Sequence, residues 1–256
     1  MIQIPKDLST FIREAGDMSR FTWRFFREGF RSRFEYAEFI KQCYVLGYRS
    51  LPLVALTAFI IGLVLTMQLR PSMVKYGVEV QIPAMVGISI VREIGPILTA
   101  LIFAGKIGSS IGAELGSMNV TEQIDAMEVS GTNPFKYLVV TRTLATTLML
   151  PVLVLIADAI ALFGSYLGEL MYEPLNLNLF YHKVFENLIY IDFIPAFIKT
   201  FFFGFAVGII GCFKGYFSDK GTEGVGNSAN SSVVVSSVMI FIIDLIAVQI
   251  ADFFQY

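Results

Sequence analysis

The chain has 256 residues, of which 55% are hydrophobic and only 16% charged, with a formal net charge of -2 and a mean hydropathy of +0.67. A soluble domain does not carry that much apolar surface, and the apolar residues gather in runs of the ~20 residues that a helix needs to cross a hydrocarbon core. The runs do not alternate polar with apolar, which excludes a β-barrel, so the class is an all-α polytopic membrane protein organised as one domain over 1–256.

In chain order, the first element is a helix over 1–40. Ala15, Ser19, Trp23, Phe26, Phe30 and Phe34 fall three or four apart on one face, and Arg20, Arg24, Arg27 and Arg31 share another. Aromatics opposite arginines describe a helix lying in the membrane interface with its basic face toward anionic headgroups. A helix packed on a soluble partner is the alternative. Lys6, Arg13, Arg33, Lys41 and Arg49 add to the basic count before the first span, so this end is expected in the cytoplasm. The first apolar run starts near Leu51, too far from Met1 for a cleavable signal peptide, and no processing is expected.

The transmembrane region covers 44–256. Span one is predicted over 51–69, beginning as early as Tyr44, with Pro52 in its first turn, where a missing N–H does little harm. Residues 70–81 return on the outer side. Span two runs over 83–118, longer than a bilayer requires, so it tilts, bends at Pro96 or projects into the cytoplasm. Residues 119–131 are polar, and Asn133-Pro134 closes them before span three, over 135–170, which Pro151 is expected to kink. Residues 171–192 form an outer loop with an amphipathic piece. Span four covers 193–217, the Gly- and Ser-rich 221–232 is a polar inner connection, and span five covers 233–254. Five crossings from an inside start leave Tyr256 outside. Cys43 and Cys212 then both lie toward the reducing side, and no disulfide is implied.

Three features lie between Arg92 and Arg142. Arg92 and Glu93 sit about ten residues into span two, where an unpaired charge costs several kcal/mol, so each needs a partner or a hydrated cavity. Neighbours on a helix point about 100° apart, so they need not pair with each other. Glu93 shares a face with Ile97, and Arg92 can snorkel outward. An ion pair to another span and a substrate role are both open readings. Lys106 and Glu114 are expected to bond near the inner interface, and Asp158, Glu169 and Asp244 are weaker cases of the same kind.

Ala104, Gly108, Gly112 and Gly116 recur every four residues, with Gly105, Ser109, Ala113 and Ser117 one step round, and similar small-residue faces occur at Gly164/Gly168 and Gly204/Gly208/Gly211/Gly215. Small residues let helices approach closely in lipid, either within one subunit or along a homodimer seam. The polar segment then alternates Asn119, Thr121, Glu122, Gln123, Asp125 and Glu128 with Val120, Ile124, Met127 and Val129 at helical spacing. Ile124 and Met127 share one side, the carboxylates lie toward the other, and Asn119 or Thr121 can cap the start. An acidic face is repelled by anionic headgroups, so docking to a soluble partner is the better reading.

Catalysis finds little support. His182 stands alone in an outer loop, neither HExxH nor GxSxG occurs, and Gly105-Lys106 lacks the Ser or Thr and the upstream glycine of a phosphate loop. An ion-coupled secondary transporter, suggested by Arg92, Glu93 and Asp244, would more naturally show internal repeats. An intramembrane enzyme would need Asp158 and Asp244 to form a carboxylate pair.

The run Arg92-Glu93-Ile94-Gly95-Pro96, then Ala104 to Ser109, Ala113 to Gly116, Thr121 to Gln123, Met127-Glu128, Pro134 and Arg142 resembles the MlaE-type permeases of the MCE-associated phospholipid ABC transporters. Lys106 stands where arginine is commoner, which keeps the charge but not bidentate bonding. The resemblance implies a homodimer in the inner membrane of Gram-negative bacteria. Each copy would have an interfacial helix, five spans and a short cytoplasmic coupling helix, and would act in an ATP-driven transporter maintaining outer-membrane lipid asymmetry. Implied partners are a cytoplasmic MlaF-like ATPase, which binds the ATP and Mg, a STAS-domain MlaB-like protein, a periplasmic MlaD-like MCE hexamer and a glycerophospholipid; no nucleic acid and no cofactor in this chain are implied. By the same resemblance Leu65, Gln68, Met73, Tyr76, Arg92, Glu93 and Ile94 line a lipid cavity. Leu65, Met73 and Ile94 would touch acyl chains, and Tyr76, Arg92 or Glu93 a headgroup. Asn119, Thr121, Glu122, Gln123, Asp125, Met127 and Glu128 fall on the coupling helix. Residues 70–80 are the least family-like part.

Overall fold

The computed structural model describes the backbone of residues 6–29 and 34–255. Helix α1 (Lys6–Gly29) precedes five long helices: α2 (Tyr36–Lys75), α3 (Glu79–Val120), α5 (Phe135–Leu170), α7 (Tyr190–Tyr216) and α8 (Thr222–Gln255). Two short helices sit in the connections, α4 (Gln123–Val129) between α3 and α5, and α6 (Leu177–Asn187) between α5 and α7. All five long helices have the length and apolar composition to cross a membrane. The end of the bundle that carries α4 is called the lower end below, and the end that carries α6 the upper end.

The helices depart from expectation where polar sequence proves helical. Span one is not confined to 51–69: α2 begins at Tyr36, passes through a π turn at Cys43–Gly47 and a 3-10 turn at Tyr48–Ser50, and continues to Lys75. The 221–232 stretch, expected as a loop, supplies the first turns of α8 from Thr222. Its serines face α3, where Ser232 and Ser236 are buried and Gly112 leaves room for Ser232 Oγ and the Ser228 carbonyl. Polar composition there serves close packing rather than solvation. Pro151 does not break α5, which is α-helical without interruption from Thr141 to Leu170.

Helix α1 buries a second aromatic face, one not singled out from sequence. Phe21 and Phe25 are buried against the lower ends of α5 and α7, Phe21 edge-on to Phe135 and Phe213, and Phe25 edge-on to Phe205. Trp23 and Phe26, on the aromatic face read from sequence, are exposed. Arg24 stacks 4.3 Å from the centroid of Phe135 and pairs with Glu28, so one arginine of the basic face is tied to the protein while remaining exposed. The described part of the helix runs to Gly29, and Phe34 and Glu35 are not helical, so no single helix reaches 40; Phe30, Arg31 and Arg33 lie outside the described residues, as does Tyr256.

Small residues set the helix spacing. A methyl on Gly62 of α2 would collide with the carbonyl of Ala161 on α5, so these backbones touch, and Thr66 and Ser165 hydroxyls share a 2.6 Å hydrogen bond along the same seam. The glycines of α3 work within the chain: Gly112 meets α8, and Gly116 abuts Ser218 in the α7–α8 connection. Gly105 alone of this series has open space where its side chain would be. Ion pairs of buried arginines fasten both ends. Arg70 of α2 donates to Glu169 at 2.5 Å and Glu173 at 2.7 Å above, and Arg142 of α5 donates to Glu114 of α3 at 2.7 Å below.

Candidate functional site

In the upper half, six charged groups from three helices meet. Arg92 and Glu93 lie in a π turn of α3 (Ile90–Ile94), immediately before Gly95-Pro96. Pro96 has no N–H to give the carbonyl of residue 92, so the regular i to i-4 ladder fails there and the wider turn takes its place. The two side chains leave the helix toward α7 and α8. Arg92 lies 3.1 Å from Asp252 and 3.6 Å from Asp192. Glu93 accepts a 2.7 Å hydrogen bond from Lys199, which is 3% exposed. Lys199 Nζ also lies 2.8 Å from Asp244 Oδ1, an ion pair without hydrogen-bond geometry.

Two cations thus face four carboxylates. Beside them an apolar groove of about 420 Å³ opens between α7 and α8, walled by Ile194, Ile198, Phe202, Ala247 and Ile250, with Lys199 in its lining. Charge and hydrocarbon surfaces adjoin, which is the chemistry of an amphiphile site.

The remaining predicted cavity residues do not join this cluster within one chain. Leu65 and Met73 pack against the apolar cluster that holds Val86, Phe180 and Val184 beneath α6. Ile94 faces a narrow seam with Thr57, Ile61 and Leu98, Gln68 is exposed on α2, and Tyr76 is exposed just past its end. Lys199, Asp192 and Asp252 were not singled out from sequence. The visible signal was a lone lysine inside the apolar run PAFIKTFF, which cannot remain charged in a span without a carboxylate partner.

At the lower end, α4 is a short helix anchored on one side. Ile124 is buried in the main core and Met127 packs beside it, while Gln123, Asp125, Glu128 and Val129 are exposed. The helix closes with a Schellman motif: Gly131, at φ 82°, donates its N–H to Glu128 O, and Thr132 donates to Met127 O. Asn133 Oδ1 then accepts from Lys136 N at the start of α5, and Asn133 Nδ2 donates to Glu28 of α1 at 2.9 Å. The expected cap is absent. Glu122 occupies the N-cap position in the left-handed region, at φ 57°, with no side-chain hydrogen bond to the helix. Asn119 instead ties α3 to Ser218 O, and Thr121 bonds back to Ser117 O.

Of three further pairings considered from sequence, one holds and two are corrected. Lys106 donates to the carbonyl of Arg49 at 2.6 Å rather than to Glu114, whose partner is Arg142, because the π turn at Ala104–Gly108 turns Lys106 toward α2. Glu93 and Arg92 both find partners on other spans, so the ion-pair reading holds for both. Asp158 packs against Gly95 with Oδ1 unpartnered among the described residues, whereas Asp244 serves Lys199.

Comparison with known proteins agrees with this architecture. The family model described as Permease MlaE matches residues 39–250. The chain is 42% identical to a probable ABC transporter permease protein of Rickettsia prowazekii over 203 residues, 79% of this chain and 78% of that one. It is 38% identical to one of Rickettsia felis over 232 residues, 91% and 90% of the two chains. It is 35% identical to one of Synechocystis over 204 residues, 79% and 77%.

Proposed function

The chain belongs to the MlaE permease family and is a multi-pass ABC transporter permease, and from that premise we propose that it moves glycerophospholipid through a homodimer. One observation supports the lipid reading most directly: the Arg92, Glu93, Lys199, Asp192, Asp244 and Asp252 cluster lies against an apolar groove. A headgroup and an acyl chain can be held side by side there. Arg92 can meet a phosphate, the surplus carboxylates can meet an amine, and Ile194, Ile198 and Phe202 can meet hydrocarbon. Leu65, Gln68, Met73, Tyr76 and Ile94 are assigned to the same pathway where α2 faces a second copy.

In this reading the lower end is cytoplasmic, the amino terminus lies inside and the carboxyl terminus outside, in a bacterial inner membrane. Helix α4 docks on an MlaF-like ATPase that binds ATP and Mg and carries an MlaB-like STAS protein, and an MlaD-like MCE hexamer receives lipid at the upper end. The permease performs no covalent chemistry. Binding of ATP by the partner displaces α4, and Ile124 and Met127 carry the displacement into the main core. The groove then changes its relative affinity for lipid, because a switch works only through differential binding. Basic residues of α1 and its exposed Trp23 and Phe26 support an interfacial setting for that helix.

The test is reconstitution with the ATPase in liposomes carrying a fluorescent phospholipid. ATP-dependent transfer is expected; transfer driven by an ion gradient without the ATPase would replace this reading with secondary transport.

A further inference from the structure

A second pocket, of about 660 Å³, lies in the lower half between the start of α2 and the π turn of α3. Its walls are apolar at Val45, Leu51, Pro52 and Ile107, and it holds two cations, Arg49 and Lys106. Lys106 is half-buried, and its ammonium spends one N–H on the Arg49 carbonyl. The Arg49 guanidinium lies 5.8 Å from the centroid of the Tyr44 ring. No carboxylate is within ion-pair reach of either cation among the described residues, in contrast to Arg70, Arg92, Arg142 and Lys199, all of which are paired.

Two uncompensated cations in a pocket walled by hydrocarbon call for an anion with an apolar neighbour. Depth supplies the rest. Tyr44 and Tyr48 stack at 5.2 Å and are both exposed, one turn apart at the rim, where aromatic side chains mark headgroup level. We propose that this pocket binds the phosphate of an anionic phospholipid from the leaflet on the α4 side, Lys106 and Arg49 holding the phosphate and Leu51, Pro52 and Ile107 the first methylenes of the acyl chains. The site is separate from the cluster of Arg92 and Lys199, and it depends on the permease reading only for which leaflet it faces. Its position on the π turn of α3 lets an inner-leaflet lipid brace the same helix that carries Arg92 and Glu93.

The purified complex in phosphatidylcholine nanodiscs doped with phosphatidylglycerol tests this by native mass spectrometry of retained lipid. Arg49→Gln and Lys106→Gln are each expected to lower retained phosphatidylglycerol about fivefold, with phosphatidylcholine unchanged. Lys106→Arg is expected to retain it. Arg49→Gln guards against misfolding, since the guanidinium is exposed and the carbonyl that accepts from Lys106 remains. Unchanged phosphatidylglycerol in both Gln variants, or a parallel fall in phosphatidylcholine, overturns the site. Release of the lipid by millimolar inorganic phosphate overturns the lipid as its occupant and assigns the pocket to free phosphate. If retention is unchanged while ATP-driven transfer persists, the pocket fails and the lipid-transport reading stands; if the unaltered complex transfers no lipid, the lipid-transport reading fails whatever the lipid count.

Discussion

Replacing Lys199 with methionine tests whether the upper cluster is held by charge. The ammonium is 3% exposed and lies 2.7 Å from Glu93 and 2.8 Å from Asp244, which are 33% and 14% exposed. Its removal leaves two carboxylates facing each other in the span with no cation. Breaking a buried pair costs about 3–5 kcal/mol, and the partial exposure of Glu93 places this case at the lower end, about 3 kcal/mol or ~150-fold in the unfolding constant. Equilibrium unfolding in mixed micelles measures it. Adding Glu93→Gln and Asp244→Asn removes the stranded charges, and the triple variant is expected to return to within about 1 kcal/mol of the parent. A Lys199→Met variant within about 0.5 kcal/mol of the parent would refute the reasoning, because neither carboxylate would then depend on the ammonium.

Reversing charge at Glu122 and Asp125 with lysine is expected to abolish stimulation of the partner ATPase while leaving homodimer assembly intact, since both side chains are exposed; normal lipid transport in that variant would sink the docking role of α4. Glu93→Ala is expected to cut lipid occupancy of the purified complex more than its assembly, and unchanged occupancy by mass spectrometry would make Glu93 purely structural. Gly62→Ala puts a methyl against the Ala161 backbone and is expected to cost roughly 1–3 kcal/mol on denaturation. Gly105→Ala meets open space, so the monomer fold is expected to hold within about 0.5 kcal/mol, and a shift in its oligomeric state on a sizing column would identify a seam between copies.

Hydropathy made the five crossings legible, because a run of twenty apolar residues has few other uses. It misjudged where helices end, since helical hydrogen bonding continues into polar sequence whenever another helix lies alongside. Ser228, Ser232 and Ser236 look like a linker in sequence and are buried against α3. The two sides of α4 were readable from period alone, with Ile124 in and Asp125 out. The cap was not, because Asn119 and Thr121 satisfy α3 and Ser218 instead. Arg92 and Glu93 announced a need for partners without naming them. The partners stand more than ninety residues downstream, and only the fold brings α7 and α8 to the π turn. A second aromatic stripe on α1 was not legible in sequence: Phe21 and Phe25 are buried because the fold brings Phe135, Phe213 and Phe205 to meet them, while Trp23 and Phe26 stay exposed.

The two π turns divide α3 into rods joined by couplings. Residues 95–103 form the middle rod, with the Arg92 and Glu93 turn above it and the Lys106 turn below. A π turn holds one residue more than the α register, so each turn shifts everything beyond it by roughly 100° around the helix. The faces on which Arg92, Glu93 and Lys106 meet Asp252, Lys199 and the Arg49 carbonyl are therefore set by helix register, two inserted residues aiming three charges that an unbroken α-helix of the same sequence would point elsewhere.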